Sequence, residues 1–221
     1  EAHTRLDYST RVDNVSRFPE NTKSICKDIG LLSKLELRFL LSARYIHLSP
    51  TCSTYSQLAT SCHKRRFEGK YLGVTAQAHC ANGLLLHLFL ALRARQESKL
   101  KPALITIENP EATFHLTPIG RKMQVPLSEG GFGLSLVRFS FCAFGEPWRK
   151  RSILLTNSRT LIAKFQTGAH VCNERGKCRF RKHAHVTVTK RFDKGVSTDD
   201  ATSFPHELCI EIAQAIENDL P

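Results

Sequence analysis

Short apolar runs separated by polar stretches dominate the hydrophobic pattern of this chain. Apolar runs of the length of a buried strand occupy residues 45–48, 103–107, 134–141 and 152–156. Two weaker segments, residues 5–8 and 24–29, are compatible with short strands or strand ends. Apolar positions at helical spacing predict helices at residues 31–41, 76–95 and 205–217.

The alternation of strands and helices predicts an α/β fold built on a parallel sheet. The segments 49–70, 109–133 and 166–200 are polar, basic or rich in Gly and Pro, and we predict them to be loops. Ligands of parallel α/β sheets bind outside the carboxyl ends of the strands. Four reactive side chains come at predicted strand ends: Asp7, Asp28, Cys52 and Glu108. This edge is the candidate site, although acids at the starts of loops are also common without one.

An excess of positive charge favours a polyanionic partner. The 221 residues, 41% hydrophobic and 24% charged, suffice for one medium domain with a core, and 32 Lys and Arg against 20 Asp and Glu give a net charge of +12. The alternative is a surface charge that only favours solubility. Because the charge is clustered, we predict nucleic acid as the partner, and the charge does not distinguish DNA from RNA. The clusters are Lys64-Arg65-Arg66, Arg149-Lys150-Arg151 and Arg179, Arg181 and Lys182.

Cysteine usage and hydropathy bear on the cellular context. Eight cysteines at irregular spacing indicate an intracellular, reducing location rather than a disulfide scaffold. The longest apolar stretch, residues 84–92, is interrupted by His87 and falls short of the roughly 20 residues that a bilayer requires, so no membrane association is expected. The pattern leaves the oligomeric state open. The chain does not begin with Met, and we expect a segment upstream of Glu1.

Five short motifs in a fixed order point to a family. They are Pro50-Thr51-Cys52-Ser53-Thr54-Tyr55-Ser56, Glu108-Asn109-Pro110, Phe144-Gly145-Glu146-Pro147-Trp148-Arg149-Lys150-Arg151, Leu155-Thr156-Asn157 and Phe204-Pro205-His206-Glu207-Leu208. With these motifs in this order, the chain resembles the DNA cytosine-5 methyltransferase family, especially its divergent phage-like branch. The resemblance is to a member whose N-terminal part is incomplete. That family carries Pro-Pro-Cys, Glu-Asn-Val or Glu-Asn-Pro, and an aromatic-Gly-x-Pro turn before basic residues.

The resemblance implies a Rossmann-like, S-adenosylmethionine-dependent methyltransferase sheet, mostly parallel with a C-terminal antiparallel hairpin. Residues 1–157 would be a partial catalytic domain without its first cofactor-binding strand, residues 158–200 a short basic insert for target recognition, and residues 201–221 a helix that packs back on the catalytic domain. The residues that would contact the cofactor are Asp7, Asp28, Ile29 and Pro50.

The same resemblance assigns chemistry to Cys52 and Glu108. A thiolate that adds to carbon 6 of cytosine makes carbon 5 nucleophilic toward the methyl group, and Cys52 would be that thiolate. Glu108 would bind N3 and the exocyclic amine, with a pKa raised by burial. The target base must flip out of the duplex, and Arg65, Arg66, Arg149, Lys150 and Arg151 would hold the neighbouring phosphates. Each assignment has a structural alternative. Cys52 could be a small buried apolar residue, Glu108 a carboxylate that caps a backbone, and the basic clusters solvated faces.

Several departures from the family pattern support other functions. The Phe-x-Gly-x-Gly cofactor loop is absent, Thr51 replaces a proline, and Trp148, Lys150 and Ser152 replace a Gln and two Arg. One alternative is therefore a catalytically inactive relic that binds nucleic acid through its basic surface. A third is an amino-methyltransferase, but Cys52 stands where that class has an aromatic ring.

A Cys/His cluster lies in the basic insert. Its ligand types suit Zn²⁺, but the spacing does not match the usual zinc-finger pattern. A basic loop that leads into a strand at 185–189 explains the same residues. We therefore predict no metal, and keep as a candidate ligand set Cys172, Cys178, His183 and His185.

Overall fold

A computed structural model describes residues 41–50, 52–68, 70–98, 100, 102–174, 176–186, 188–189, 196–197 and 204–220. The strands predicted at 5–8 and 24–29, nearly all of the helix predicted at 31–41, and the candidate cofactor residues Asp7, Asp28 and Ile29 lie outside these residues. Thr51 lies outside them as well.

The described fold is a mixed α/β arrangement around a four-stranded sheet in the order β1-β2-β4-β3. Each strand forms at a predicted apolar run: β1 (Tyr45–Leu48), β2 (Leu104–Pro110), β3 (Ser135–Ser140) and β4 (Arg151–Thr156). β1 and β2 pair in parallel, whereas β4 lies antiparallel to both β2 and β3. β1, β2 and β3 therefore run in one direction and β4 runs against them.

The prediction of mostly parallel pairing is wrong for the described sheet, in which only the β1–β2 pair is parallel. The cause is the length of the connections. Parallel neighbours need a crossover of a dozen or more residues. The long segment between β1 and β2 supplies one, but the short turn at residues 141–150 between β3 and β4 forces a hairpin.

Helices cover both faces of the sheet. On one face, α2 (Ala76–Glu97) packs Leu85, Leu88 and Leu92 against Ile107 and Leu155. On the other face, two helices cover Phe139 and Leu154: α4 (Arg159–Phe165) and α5 (His206–Asp219). Ile153 and Leu155 of β4 belong to the first cluster and Leu154 to the second, so the centre of this strand is apolar on both faces.

Two of these helices coincide with the predicted ones, and three short helices were missed. α2 begins at Thr75, whose side chain accepts a hydrogen bond from the Ala78 N–H, and α5 begins after Pro205. The missed helices are α1 (Gln57–His63), α3 (Pro118–Gln124) and α4. Each has only seven residues, so its apolar face is too short to give a periodic signal. Two-residue strands β5 (Val188–Thr189) and β6 (Val196–Ser197) form a separate parallel pair.

The helices in the described part of the chain bear on whether it could span a membrane. None of them combines the length and the apolar character that crossing a bilayer requires.

Candidate active site

Parallel pairing of β1 and β2 brings the two predicted strand ends side by side. Leu48 pairs with Ile107, so the next residues, Ser49 and Glu108, are neighbours. The Ser49 hydroxyl donates to Glu108 Oε2 at 3.2 Å. One residue further, the Asn109 side-chain amide donates to the Pro50 carbonyl at 2.9 Å. The loop that carries Cys52 is thus fastened to the end of β2.

Cys52 opens a turn of 3-10 helix, Cys52–Thr54, directly after this loop. Its carbonyl accepts hydrogen bonds from the backbone N–H groups of Tyr55 and Ser56, each at 3.0 Å. Burial raises the pKa of the half-buried Cys52 thiol, the Lys150 ammonium opposes this rise, and the Glu108 carboxylate adds to it. Cys52, Glu108 and Lys150 therefore interact electrostatically, and the thiol is held in its protonated form.

Glu108 is a buried carboxyl with one oxygen that lacks a hydrogen-bond donor. It is 2% exposed. Oε2 accepts from Ser49, whereas Oε1 has no hydrogen-bond partner in the described part of the chain and faces Lys150 Nζ at 3.7 Å. Buried carboxylate oxygens normally accept hydrogen bonds. Glu108 Oε1 therefore has the Lys150 charge beside it but lacks the hydrogen-bond donor that a buried carboxylate oxygen normally has.

Lys150 reaches this carboxyl from the segment that leads into β4. It precedes β4, and its carbonyl accepts from the Phe141 N–H at 2.9 Å. Its Nζ lies 4.4 Å from the centre of the Phe141 ring, a cation–π contact. The side chain is consequently held between an aromatic face and Glu108.

The aromatic-Gly-x-Pro turn and the C-terminal motif, far apart in sequence, meet in the structure. Gly145 has φ +91°, which favours glycine. A Cβ at this position would lie 3.8 Å from the Glu207 carboxylate. Phe204 packs edge-on against His47, with ring centroids 5.5 Å apart. The start of α5 therefore closes over the turn and over β1.

Sequence reasoning missed a buried polar group beside the site. Thr106 Oγ1 lies 2.7 Å from both Tyr45 Oη and His47 Nδ1. Burial lowers the pKa of His47, although the nearby Glu108 charge opposes this, so the ring is neutral. Alternating positions on paired strands share a face, so His47, Ser49, Thr106 and Glu108 line one face of the sheet. The sequence signal that could have revealed this polar group is His47, a histidine inside an otherwise apolar predicted strand.

Arg65, predicted to bind phosphate, lies in the interior with 1% exposure. Its guanidinium donates to the Thr54, Tyr71, Leu72 and Ala78 carbonyls, to Thr54 Oγ1 and to Asn82 Oδ1, and it lies 4.0 Å from the centre of the Tyr55 ring. This placement does not fit the prediction, because these donors are already used within the fold. A run of basic residues in the sequence does not show which of them the fold will bury.

The other basic candidates differ in accessibility. Arg149 donates to the carbonyls of Asn173 and Glu174, at 3.2 and 3.0 Å. Arg151 pairs with Glu111 at 2.7 Å. Arg66 is exposed and borders a cleft of about 460 Å³ between α1 and the end of β2. This cleft lies beside Cys52 and Glu108 and does not include them; its other lining residues are Gln57, Thr60, Ser61, Glu111, Ala112 and Thr113.

The Cys/His candidates divide into two groups. Cys172, Cys178 and His185 converge, and the fourth member of their cluster is Cys142 rather than His183. His183 is exposed, and its contact with Cys178 is through its backbone carbonyl. Cys142 lies 30 residues before Cys172 in the chain, which is why spacing within the insert did not reveal it.

Comparisons with known proteins identify no relative: no family model, no curated protein and no solved structure matches the chain. The function is therefore inferred from the motifs and from the geometry of the site.

Proposed function

We propose that this chain transfers a methyl group from S-adenosylmethionine to carbon 5 of cytosine in DNA. The observation that carries this proposal is the placement of Cys52 and Glu108 at the carboxyl ends of two paired parallel strands, with Lys150 beside them. Attack on cytosine needs a sulfur at carbon 6 and a carboxyl at N3 of the same ring. Only groups that share one site can supply both.

A Rossmann-like methyltransferase sheet is part of the same proposal. The resemblance predicts a sheet that ends in an antiparallel hairpin, and here β3 and β4 form a hairpin beside β2. Three strands run in one direction, and helices cover both faces. Ligands of such sheets bind at the carboxyl ends of the parallel strands, where Cys52 and Glu108 lie.

Each of the three residues has a distinct role in the reaction. Cys52 loses its proton to water and forms a bond from sulfur to carbon 6, which makes carbon 5 nucleophilic. Glu108 binds N3 and the exocyclic amine through its carboxyl group, and Lys150 balances the charge that develops. When bound, S-adenosylmethionine would supply the electrophilic methyl group and would leave as S-adenosylhomocysteine. Loss of the carbon 5 proton to water then breaks the sulfur–carbon bond and releases the thiolate.

The cofactor would lie next to the loop after β1. Of the residues that the resemblance assigns to it, Pro50 is the one within the described part of the chain, and Asn109 fixes its carbonyl. This bond holds the loop in place beside Glu108. The DNA would approach from the side of the exposed Arg66, with the flipped base directed to Cys52.

Covalent trapping tests the proposal. A duplex that contains 5-fluorocytosine is incubated with the protein and S-adenosylmethionine, because fluorine at carbon 5 blocks the final elimination. We expect a denaturation-resistant adduct with the wild type and none with Cys52→Ser. The exposed cysteine Cys80 offers the matched control, since Cys80→Ser should trap fully. Equal trapping by Cys52→Ser, or no adduct from a protein that binds both DNA and cofactor, contradicts the mechanism.

One observation favours the second candidate, an inactive relic that binds nucleic acid. Burial keeps the Cys52 thiol protonated, and a reactive nucleophile needs the thiolate. A relic would bind DNA with a strong salt dependence and would not bind S-adenosylmethionine. Calorimetric titration with the cofactor separates the two functions, since measurable cofactor binding excludes the relic.

A further inference from the structure

We propose that Cys142, Cys172, Cys178 and His185 form a structural zinc site that fastens the basic segment 166–186 to the turn after β3. Three sulfurs and one imidazole nitrogen from these residues lie within 4.8 Å of one another. Three thiolates and one imidazole are a common ligand set of structural zinc. The proposed zinc site does not rest on the proposed methyl transfer.

The spacing of the ligand atoms suits a tetrahedral ion. Zinc–sulfur bonds of about 2.3 Å and zinc–nitrogen bonds of about 2.0 Å place a sulfur and a nitrogen ligand about 3.6 Å apart. The distance from Cys172 Sγ to His185 Nε2 is 3.6 Å. Small movements of the remaining side chains complete the tetrahedron, because no pair exceeds 4.8 Å.

The hydrogen bond of His185 selects the tautomer that a zinc ligand needs. Its Nδ1 lies 3.2 Å from the Gly176 carbonyl, which only accepts hydrogen bonds, so Nδ1 carries the proton and donates. Nε2 then presents its lone pair toward the sulfurs. Histidine ligands of zinc are commonly oriented in this way, with the second nitrogen donating to a carbonyl.

The backbone of the insert folds around Cys178. The Cys178 N–H donates to the His183 carbonyl at 2.7 Å, and the Lys182 N–H donates to the Cys178 carbonyl at 2.8 Å. Lys182 has φ +62°, which reverses the chain and returns His185 to the cysteines. A bridge between Lys177 and Ala184 closes the same loop. Cys178 and His185 are thus brought together by local structure.

The other two ligands come from the sheet side. Cys142 lies in the 3-10 helix Phe141–Phe144 that follows β3. The Cys172 N–H donates to Ser140 Oγ at 3.0 Å, and the Ser140 N–H donates to the His170 carbonyl at 2.9 Å. The metal would therefore join the end of β3 to the insert at a point where the backbones are already in contact.

Ordinary apolar packing explains this cluster poorly. Cys142, Cys172 and Cys178 are buried together, and Phe180 is the partly buried residue that packs on them. A segment with so few apolar contacts gains little from burial, and a metal can supply the missing stability. A disulfide would join two of the sulfurs but would not use the third sulfur or His185.

The proposed zinc site adjoins the candidate active site. Cys142 is preceded by Phe141, whose ring lies beneath Lys150 Nζ. A metal on Cys142 would hold this 3-10 helix in place, and through Phe141 it would hold Lys150 near Glu108. The insert and the active site would then be parts of one rigid unit.

Metal analysis of the full chain tests the site. We expect the protein purified without chelators to contain a single equivalent of zinc, released in step with thiol modification by an organomercurial. Cobalt substitution should give the intense thiolate charge-transfer bands and the d–d bands of a tetrahedral site. Cys142→Ser and Cys178→Ser should lose the metal, whereas His183→Ala and Cys209→Ser should retain it. His185→Cys should retain cobalt with a shifted spectrum.

Three results would overturn the assignment. The first is wild-type protein that binds neither zinc nor cobalt. The second is retention of zinc by Cys142→Ser together with its loss in His183→Ala, which would select another ligand set. The third is a disulfide between two of the three cysteines in the native protein, found by mass spectrometry. The wild-type cobalt spectrum decides the matter even if a serine variant fails to fold.

Discussion

Lys150 Nζ lies 3.7 Å from Glu108 Oε1, across the sheet edge that also carries Cys52. Glu108 is 3% exposed in its side chain and Lys150 is 17% exposed, so the pair is shielded from water. By the resemblance, Lys150 stands where the methyltransferase family has an arginine. The structure places a cation beside the carboxyl in spite of this substitution.

Replacement of Lys150 should show how much a buried carboxyl without a counter-charge destabilises the protein. We expect Lys150→Met to lower the free energy of unfolding by about 2 kcal/mol, because Glu108 loses its counter-charge. Urea denaturation measures the change. Lys150→Arg, which keeps the charge, is the control and should be near wild type. The double variant Lys150→Met with Glu108→Gln should recover most of the loss; an equal loss in the double variant would mean that Lys150 acts through packing alone.

Adduct formation by Cys52 should increase with pH. Burial raises the pKa of the Cys52 thiol, so the reactive thiolate is a minor species at neutral pH. Below that pKa the thiolate fraction rises about tenfold per pH unit. Single-turnover trapping over a range of about pH 6 to 9 measures this slope. Lys150→Met removes the cation that lowers this pKa and should displace the profile to higher pH. A flat profile would show that thiol ionisation does not limit the reaction.

Alanine variants of Arg65 and of its neighbour Arg66 should differ in effect, the first on stability and the second on DNA binding. Arg65→Ala removes the guanidinium donors of the buried Thr54 and Ala78 carbonyls and of Thr54 Oγ1, and we expect it to lower the free energy of unfolding by roughly 3–5 kcal/mol. Arg66→Ala should change stability by less than about 0.5 kcal/mol. If Arg66 holds a phosphate, the slope of log affinity against log salt should fall by about 1 in this variant. Equal stability of the two variants would contradict the buried position of Arg65.

Two glycines provide opposite tests of backbone conformation. Gly145 has φ +91°, so Gly145→Ala should destabilise the protein by about 1–2 kcal/mol. Gly83 lies within α2, exposed and with no atom within 4 Å of an added Cβ. Gly83→Ala should therefore stabilise the protein by about 0.5–1 kcal/mol. Thermal unfolding of both variants measures the difference, and a stabilising Gly145→Ala would argue against the described turn.

The sequence by itself determined the elements whose signal is local. The apolar runs at β1, β2, β3 and β4 are buried strands because backbone pairing and burial favour such runs. The long helix α2 also followed from its own pattern. Cys52 lies in the loop after the predicted strand 45–48 and Glu108 directly follows the predicted strand 103–107, and neighbouring parallel strands end at the same edge.

Tertiary structure decided everything that depends on contacts between distant residues. Packing buried Arg65 and left Arg66 exposed, although the two are adjacent in sequence. It placed Lys150 beside Glu108 and brought Cys142 to a cluster 30 residues further along the chain. The direction of β4 followed from the short turn before it. Residue type and local periodicity carry no information about which partner lies opposite, because burial and pairing across the sheet depend on the whole fold.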